Sequence, residues 1–298
     1  MLAPVELPSV QRVALEACDL QTAPMQFSVY LPPGYDRASG QRYPELYLGD
    51  GQDSAAMGLP RTLAELRAAH AIKPAIVVAI DMPKDRMATY GLSDPVLGRS
   101  LTGHSRVGSI GTDAHAYSEW VTRQLVPYMD SHDRTQASAS GRTVLGWSLG
   151  GLNAFNLGWQ YPGTFAQAGA FSPSFWLSAA SGDVQPARLA QAMVDSTRPP
   201  ADLRLWLAVG TEEETADRDG DGLNDALDDV LDVVDALEKR GLAIERGEGA
   251  GQLPDAPVTL YLLPGGQHSQ QAWARMLPRF LIWALPPGPS AATGTGAR

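Results

Sequence analysis

One serine stands between glycines at the spacing used for nucleophilic catalysis. Ser148 belongs to the run Gly146-Trp147-Ser148-Leu149-Gly150, which follows a short apolar stretch over 143–145 and precedes a helix-like stretch over 152–161. A strand, a tight Gly-x-Ser-x-Gly turn and a helix are the context of a nucleophile elbow. Because glycines lack Cβ, the strand and the helix can pack closely around a strained Ser148 backbone. The alternative is an ordinary glycine-rich turn.

A serine nucleophile needs a general base, and the chain holds five histidines. In an α/β hydrolase the nucleophile comes first in the chain, then the acid, then the base. His268 is the one histidine after Ser148, and it follows an apolar run over 258–263 and a turn over 264–267. We therefore expect it on a loop beyond the carboxyl end of a strand, where catalytic groups gather in open α/β sheets.

The acid is expected after the preceding strand-like run, 203–209, which ends in Gly-Thr-Glu-Glu-Glu over 210–214. A carboxylate there would accept a hydrogen bond from the His268 ring, fix its tautomer and stabilise the imidazolium. The residues by themselves leave Glu212, Glu213 and Glu214 as alternatives.

An acyl-transfer site also needs two N–H donors for the oxyanion. Leu149, directly after the serine, is one expected donor, and Gln52, in a Gly-Asp-Gly-Gln run after the apolar stretch 46–48, is the other. Trp147 and Trp176 are predicted to wall the site, because each stands at or just after a predicted strand end and aromatic walls suit acyl or aryl groups. A plain turn for the 49–52 run, and core packing for either tryptophan, are the alternatives.

The rest of the chain alternates strand-like apolar runs with helical patterns. The strand-like runs cover 11–15, 25–31, 46–48, 75–80, 143–145, 168–171, 203–209 and 258–263. Helical patterns cover 62–71, 117–129, 152–161, an amphipathic stripe over 227–237 that should stop at Gly241, and 272–285. This alternation predicts a mostly parallel, doubly wound sheet with helices on both faces. We expect one domain over 1–285, a long functional or mobile loop over 81–116, and a disordered tail over 286–298.

Several of these runs also occur, in the same order, in a known family. They are 29–35, 43–48, 50–52, Arg86 with Met87 and Tyr90, 146–151, 172–176, 210–213, and 265–268 with Trp273. Over roughly residues 27–283, the chain resembles the putative-esterase family of α/β hydrolases. That family includes enterochelin, feruloyl and acetylxylan esterases, S-formylglutathione hydrolase and mycolyltransferases.

The enterochelin-esterase-like branch is the most similar part of that family. The resemblance implies the α/β-hydrolase fold, with Ser148 as the nucleophile and His268 as the base. It favours Glu213 as the acid, because similar members carry the acid at the third position after the glycine. The substrates of the family are too varied to transfer one to this chain.

A second motif is an acidic loop with the spacing of calcium ligands. Asp217, Asp219 and Asp221 alternate before Gly222, and Asp225 and Asp228 would supply later ligands; the pattern resembles EF-hand-like and thrombospondin-repeat loops. Hard carboxylate oxygens suit Ca²⁺ better than Zn²⁺, and the ion would be structural. The alternative is an exposed acidic loop at the start of the next helix.

Composition limits the partners. The net charge of −10 argues against nucleic acid and anionic membranes, and no apolar run reaches membrane-spanning length. Cys18 is the only cysteine, so an intrachain disulfide is impossible. The start of the chain lacks a basic segment followed by an apolar stretch, so an intact secretion signal is not expected, although one removed earlier would leave no trace. The compartment and the oligomeric state stay open.

Together these features predict a serine carboxylic-ester hydrolase that forms an acyl-enzyme on small-molecule esters. No cofactor is expected for the chemistry. Two alternatives remain: an acyltransferase that uses the same acyl-enzyme, and a non-enzymatic calcium-dependent binding protein on a hydrolase scaffold.

Overall fold

The computed structural model describes residues 5–17, 20, 24–105, 108–179, 188–247 and 256–288. The part of the predicted tail from residue 289 onwards, Cys18 and the first four residues lie outside this range. Within it, no helix is long and apolar enough to cross a membrane.

Thirteen strands occur in the described residues. They are β1 (Ser9–Leu15), β2 (Met25–Leu31), β3 (Glu45–Leu48), β4 (Ile76–Ile80), β5 (Leu92–Asp94), β6 (Arg99–Leu101), β7 (Gly103–Ser105), β8 (Gly108–Ile110), β9 (Arg142–Trp147), β10 (Gln167–Phe171), β11 (Arg204–Gly210), β12 (Ile244–Gly247) and β13 (Val258–Leu263). Nine of them form one sheet in the order β1-β2-β4-β3-β9-β10-β11-β13-β12. Strand β2 runs antiparallel to both of its neighbours, and every other pair in this sheet is parallel.

The helices of the described residues are α1 (Leu59–Ala68), α2 (Arg86–Thr89), α3 (Ala114–Trp120), α4 (Val126–His132), α5 (Leu149–Gln160), α6 (Leu189–Ser196), α7 (Asp225–Lys239) and α8 (Gln270–Ala284). A π-helical turn over Val121–Leu125 joins α3 to α4. Pro127, two residues after this turn, has no N–H to donate, which accounts for the local change in hydrogen bonding.

Helices cover both faces of the large sheet. Successive residues of a strand point to opposite faces, and in β11 the alternate residues Leu205 and Leu207 belong to one apolar cluster while Trp206 and Ala208 belong to another. The first cluster includes residues of α3 to α7, and the second includes residues of α1 and α8. The predicted doubly wound α/β architecture is confirmed.

The segment 81–116 differs from its prediction as one long loop. It contains α2 and two short antiparallel hairpins, β5–β6 and β7–β8. Tyr90, Leu92 and Ile110 within it are fully buried. These strands have three residues each, too few for a periodic apolar pattern to show in the sequence. The four-residue strand β12 and the eight-residue helix α6 were not predicted from the sequence either.

Candidate active site

Ser148 lies at the sharp turn between β9 and α5. It has φ 54° and ψ −124°, a conformation that non-glycine residues rarely adopt, and it caps the N-terminus of α5. The turn is possible because residue 146 is glycine: a Cβ there would stand 2.1 Å from the carbonyl oxygen of Gly150. The predicted close packing of strand, turn and helix is therefore present.

The structure brings three residues that are far apart in the chain into one hydrogen-bonded line. His268 Nε2 lies 3.0 Å from Ser148 Oγ, and His268 Nδ1 lies 2.7 Å from Glu213 Oε2. A carboxylate can only accept, so Nδ1–H donates to Glu213 and leaves the Nε2 lone pair facing the serine hydroxyl. In this tautomer His268 is placed to take the proton of Ser148.

The structure also distinguishes among the three adjacent glutamates. The Glu213 side chain is fully buried, whereas Glu212 and Glu214 are exposed. Glu213 Oε1 accepts hydrogen bonds from the Gly210 N–H at 2.7 Å and from Ser172 Oγ at 2.6 Å. These two donors hold the carboxylate so that its other oxygen faces His268.

A glycine contact brings the loops of the acid and the base together. Strands β11 and β13 are parallel neighbours, so the loops after them leave the sheet at the same edge. A Cβ on Gly210 would stand 2.2 Å from the Gly266 carbonyl oxygen, and the Glu212 N–H donates to that same oxygen at 2.8 Å. This close backbone approach accounts for the short distance between Glu213 and His268.

Trp273 and Ser172 support the site, although the sequence predicted no role for either of them. Trp273 Nε1–H donates to Ser172 Oγ at 2.9 Å, and the Trp273 ring meets the His268 ring edge to face at 5.2 Å between centroids. Ser172 has φ 43°, a left-handed conformation. Both residues are in the runs shared with the family, but their roles depend on contacts that no local pattern records.

The two predicted oxyanion donors directly follow neighbouring parallel strands, Leu149 after β9 and Gln52 after β3. Leu149 is the first residue of α5, so its N–H has no acceptor within the helix. Gln52 lies in a 3₁₀ turn over Gly51–Asp53 just beyond β3, and β3 is the parallel neighbour of β9. The Gln52 side-chain oxygen accepts from the Met82 N–H at 2.7 Å, which ties this turn to the loop after β4.

A buried ion pair anchors the turn that carries Gln52. Asp50, with φ 53°, pairs with Arg86 at 2.7 Å, and burial raises the pKa of its carboxyl group. The Asp50 N–H donates to the Tyr90 hydroxyl oxygen at 3.1 Å, and the Arg86 guanidinium donates to the Trp147 carbonyl oxygen at 3.4 Å. Asp50, Arg86 and Tyr90 thus connect the turn to the strand that carries Ser148.

The two predicted aromatic walls have different positions. Trp147 is 2% exposed and stacks on Trp273 at 5.7 Å between centroids, so the prediction that its ring walls the site is wrong. Side chains alternate along β9, and that of Trp147 points into the core shared with α8. Trp176 is 42% exposed and lines a cleft of about 490 Å³ together with Ser172, Glu213 and His268.

The acidic loop brings together only part of its predicted ligand set. Carboxylate oxygens of Asp217, Asp219 and Asp221 lie within 4.8 Å of one another. Asp225 and Asp228 are not part of this cluster within the described residues and instead lie against Arg218, at 3.7 Å and 2.8 Å. Arg218 stands inside the motif, and its long side chain reaches back to the first turn of α7.

Comparison with known proteins identifies the family. The family model described as "Putative esterase" matches residues 21–284, so the chain belongs to this esterase family of α/β hydrolases. An esterase from Mycobacterium tuberculosis is 34% identical over 148 residues, which are 49% of this chain and 28% of that protein.

Two solved structures show the same fold. An enterobactin esterase from Shigella flexneri matches with a TM-score of 0.67 and 17% identity over 94% of this chain and 60% of its own. A ferulic acid esterase from Anaeromyces mucronatus matches with a TM-score of 0.63 and 15% identity over 95% of this chain and 92% of its own. The family match assigns the chain to the esterases, and these solved structures show that it shares their fold.

Proposed function

We propose that this protein hydrolyses carboxylic esters through an acyl-enzyme on Ser148, with His268 as the general base and Glu213 as the acid that orients it. The observation that carries the proposal is the continuous line from Ser148 Oγ through the His268 ring to the buried Glu213 carboxylate. Each interval in that line is of hydrogen-bond length, as a nucleophile, a base and an orienting group require.

Acylation begins when Ser148 Oγ attacks the ester carbonyl carbon while His268 Nε2 takes the serine proton. The carbonyl π electrons move to its oxygen, and the N–H groups of Leu149 and Gln52 stabilise the oxyanion. The tetrahedral intermediate then collapses: the bond to the alcohol oxygen breaks, and His268 gives its proton to that oxygen. The alcohol leaves, and the acyl group remains on Ser148.

Deacylation repeats these steps with water as the nucleophile. His268 takes a proton from water, the hydroxide oxygen bonds to the acyl carbon, and the serine oxygen leaves with the proton returned to it. One ester and one water give one acid and one alcohol. His268 carries every proton transfer and the two N–H donors stabilise the oxyanion, so the proposed chemistry needs no cofactor.

A fluorophosphonate probe tests the proposal, because it reacts only with an activated serine. We expect stoichiometric labelling at Ser148, located by peptide mass spectrometry, and loss of labelling in the His268→Ala variant. Absence of labelling in a folded protein would favour an inert binding scaffold instead. Adding a competing alcohol to the ester assay separates the acyltransferase alternative, because a transferase would form the new ester in preference to the free acid.

We propose esters of the enterochelin-esterase-like type as the first substrates to test, because that branch resembles the chain most. Siderophore, feruloyl, acetyl-sugar and short acyl esters are the panel to screen. The Shigella flexneri neighbour acts on enterobactin according to its name, and the fungal neighbour on ferulic acid esters, so the shared fold accommodates different acids and alcohols.

We also propose that the loop of Asp217, Asp219 and Asp221 holds a structural Ca²⁺. Three carboxylates within 4.8 Å of one another provide hard oxygen ligands on the exposed surface. Asp217 also lines the groove of about 690 Å³ that contains Glu213 and His268. A bound ion would offset the mutual repulsion of the carboxylates and hold this loop beside Glu213.

Removal of calcium is expected to lower the thermal stability. An ion that binds only the folded protein adds a free energy of about 3 kcal/mol at a hundredfold excess over its Kd. We expect a melting temperature several degrees lower after exhaustive chelation, recovered by added Ca²⁺, measured by differential scanning fluorimetry. The Asp219→Asn variant should lose this calcium response. Superimposable melting curves with and without chelator would contradict the site.

A further inference from the structure

The cleft beside His268 has an unusual balance of charge. Its charged side chains within the described residues are the carboxylates of Glu213, Glu214, Asp225 and Asp229 and the guanidinium of Arg218. Glu213 is hydrogen-bonded to the His268 ring, so the other charged side chains determine which ligand charge the cleft favours.

The one guanidinium of the cleft is already neutralised. Arg218 lies 2.8 Å from Asp229, 2.8 Å from Asp228 and 3.7 Å from Asp225. A cation surrounded by three carboxylates attracts a further anion weakly, because their fields oppose its own. Arg218 is therefore poorly suited to bind an anionic substrate.

One carboxylate of the cleft retains binding capacity. Glu214 is exposed and has no hydrogen-bond or ion-pair partner within the described part of the chain. Asp229, by contrast, has a side chain only 1% exposed, and its Oδ1 is paired with both Arg218 and Arg188, at 2.8 Å and 2.5 Å. The free negative charge that the cleft presents to a ligand is therefore that of Glu214.

An aromatic face completes the cleft. Trp176 is one of the few large apolar side chains that are exposed in the described residues, at 42%, and it lines the same cleft as Glu214 and His268. An exposed indole attracts ammonium groups through its π electrons, and the attraction is stronger when water is displaced from between them. A carboxylate and an indole together form a typical environment for a substituted ammonium group.

We infer that the natural substrates of this enzyme are esters that carry a cationic ammonium group, which Trp176 and Glu214 receive in this cleft beside the scissile carbonyl. This inference rests on the proposed hydrolytic function of Ser148. The same charges disfavour esters with a carboxylate or sulfonate at that position, because like charges repel in the cleft.

Isosteric ester pairs test the charge preference directly. A choline ester and the 3,3-dimethylbutyl ester of the same acid differ only by a quaternary nitrogen in place of a carbon. A second pair carries the trimethylammonium or the tert-butyl group on the acyl side of a 4-nitrophenyl ester. We expect kcat/KM for the ammonium member of at least one pair to be about tenfold higher at low salt. This ratio should fall as ionic strength rises.

Two variants assign the preference to the cleft. Glu214→Gln and Trp176→Leu should each lower the ratio of ammonium to neutral kcat/KM several-fold. Glu245→Gln is a matched control that removes the same charge elsewhere. Glu245 pairs with Thr259 near the start of β13, at the opposite edge of the sheet from the site, so the ratio should not change.

The outcomes separate the inference from the function on which it rests. Ratios near or below one in both pairs, with Ser148-dependent hydrolysis of the neutral esters intact, would overturn the cationic preference alone. An unchanged ratio in Glu214→Gln and Trp176→Leu would likewise remove this cleft as its origin. Failure to hydrolyse any ester would contradict the proposed function, and the inference with it.

Discussion

The Ser148→Ala variant is expected to lose hydrolysis of a small activated ester, with kcat reduced on the order of 10⁶-fold. The physical reason is the loss of the hydroxyl oxygen placed 3.0 Å from His268 Nε2, on which the proposed acyl-enzyme would form. Removal of a nucleophile in a comparable serine enzyme has a loss of about this size. Steady-state hydrolysis of a 4-nitrophenyl ester, followed by absorbance, measures it.

A second substitution at the same position guards against misfolding as the cause. Ser148 has a positive φ of 54°, which glycine adopts without strain. We expect Ser148→Gly to be equally inactive while its melting temperature is no lower than that of the wild type. Turnover close to wild type in either folded variant would refute the assignment of the nucleophile.

The Glu213→Gln variant is expected to have the second largest effect, a fall in kcat on the order of 10⁴-fold. The Gly210 N–H donates to Oε1, so the glutamine carbonyl oxygen takes that position and its NH₂ group faces His268. Nδ1 must then accept, which places the ring proton on Nε2. In that tautomer His268 cannot take the proton of Ser148.

Glu212→Gln provides the matched control for this variant. It makes the same chemical change one residue earlier, on a side chain that is exposed and has no hydrogen bond to the site. We expect its kcat for a neutral ester to stay within about twofold of wild type, in line with the small effect of most surface substitutions. A large loss in Glu212→Gln and none in Glu213→Gln would show that a different glutamate orients His268.

Much of the architecture was predictable because its signals are local. The runs over 25–31 and 258–263 coincide with β2 and β13, and the stripe over 227–237 lies within α7. The expected stop at Gly241 agrees with the end of α7 at Lys239 and the positive φ of Gly241. Long elements show a periodic pattern of apolar residues in the sequence, whereas the three-residue strands of the 81–116 segment are too short to show one.

The site was predictable to a different degree at each position. Ser148 and His268 followed from a glycine-flanked turn and from chain order, and the structure places them in contact. Trp147 was misjudged, because a tryptophan at a strand end looks the same in the sequence whether it faces a cleft or the core. Arg218 was overlooked as the partner of Asp225 and Asp228, since neither period nor spacing shows which way a long side chain turns.

The sequence by itself determined the class of protein and the turn that carries Ser148, and it predicted the chain order of the proposed nucleophile, acid and base. These depend on glycine stereochemistry and on apolar periodicity, which act over a few neighbouring residues. Only the tertiary structure decided which glutamate faces His268, because Glu212, Glu213 and Glu214 are chemically identical. Their difference arises from the approach of Gly266 to Gly210 and from the donors around one buried carboxylate.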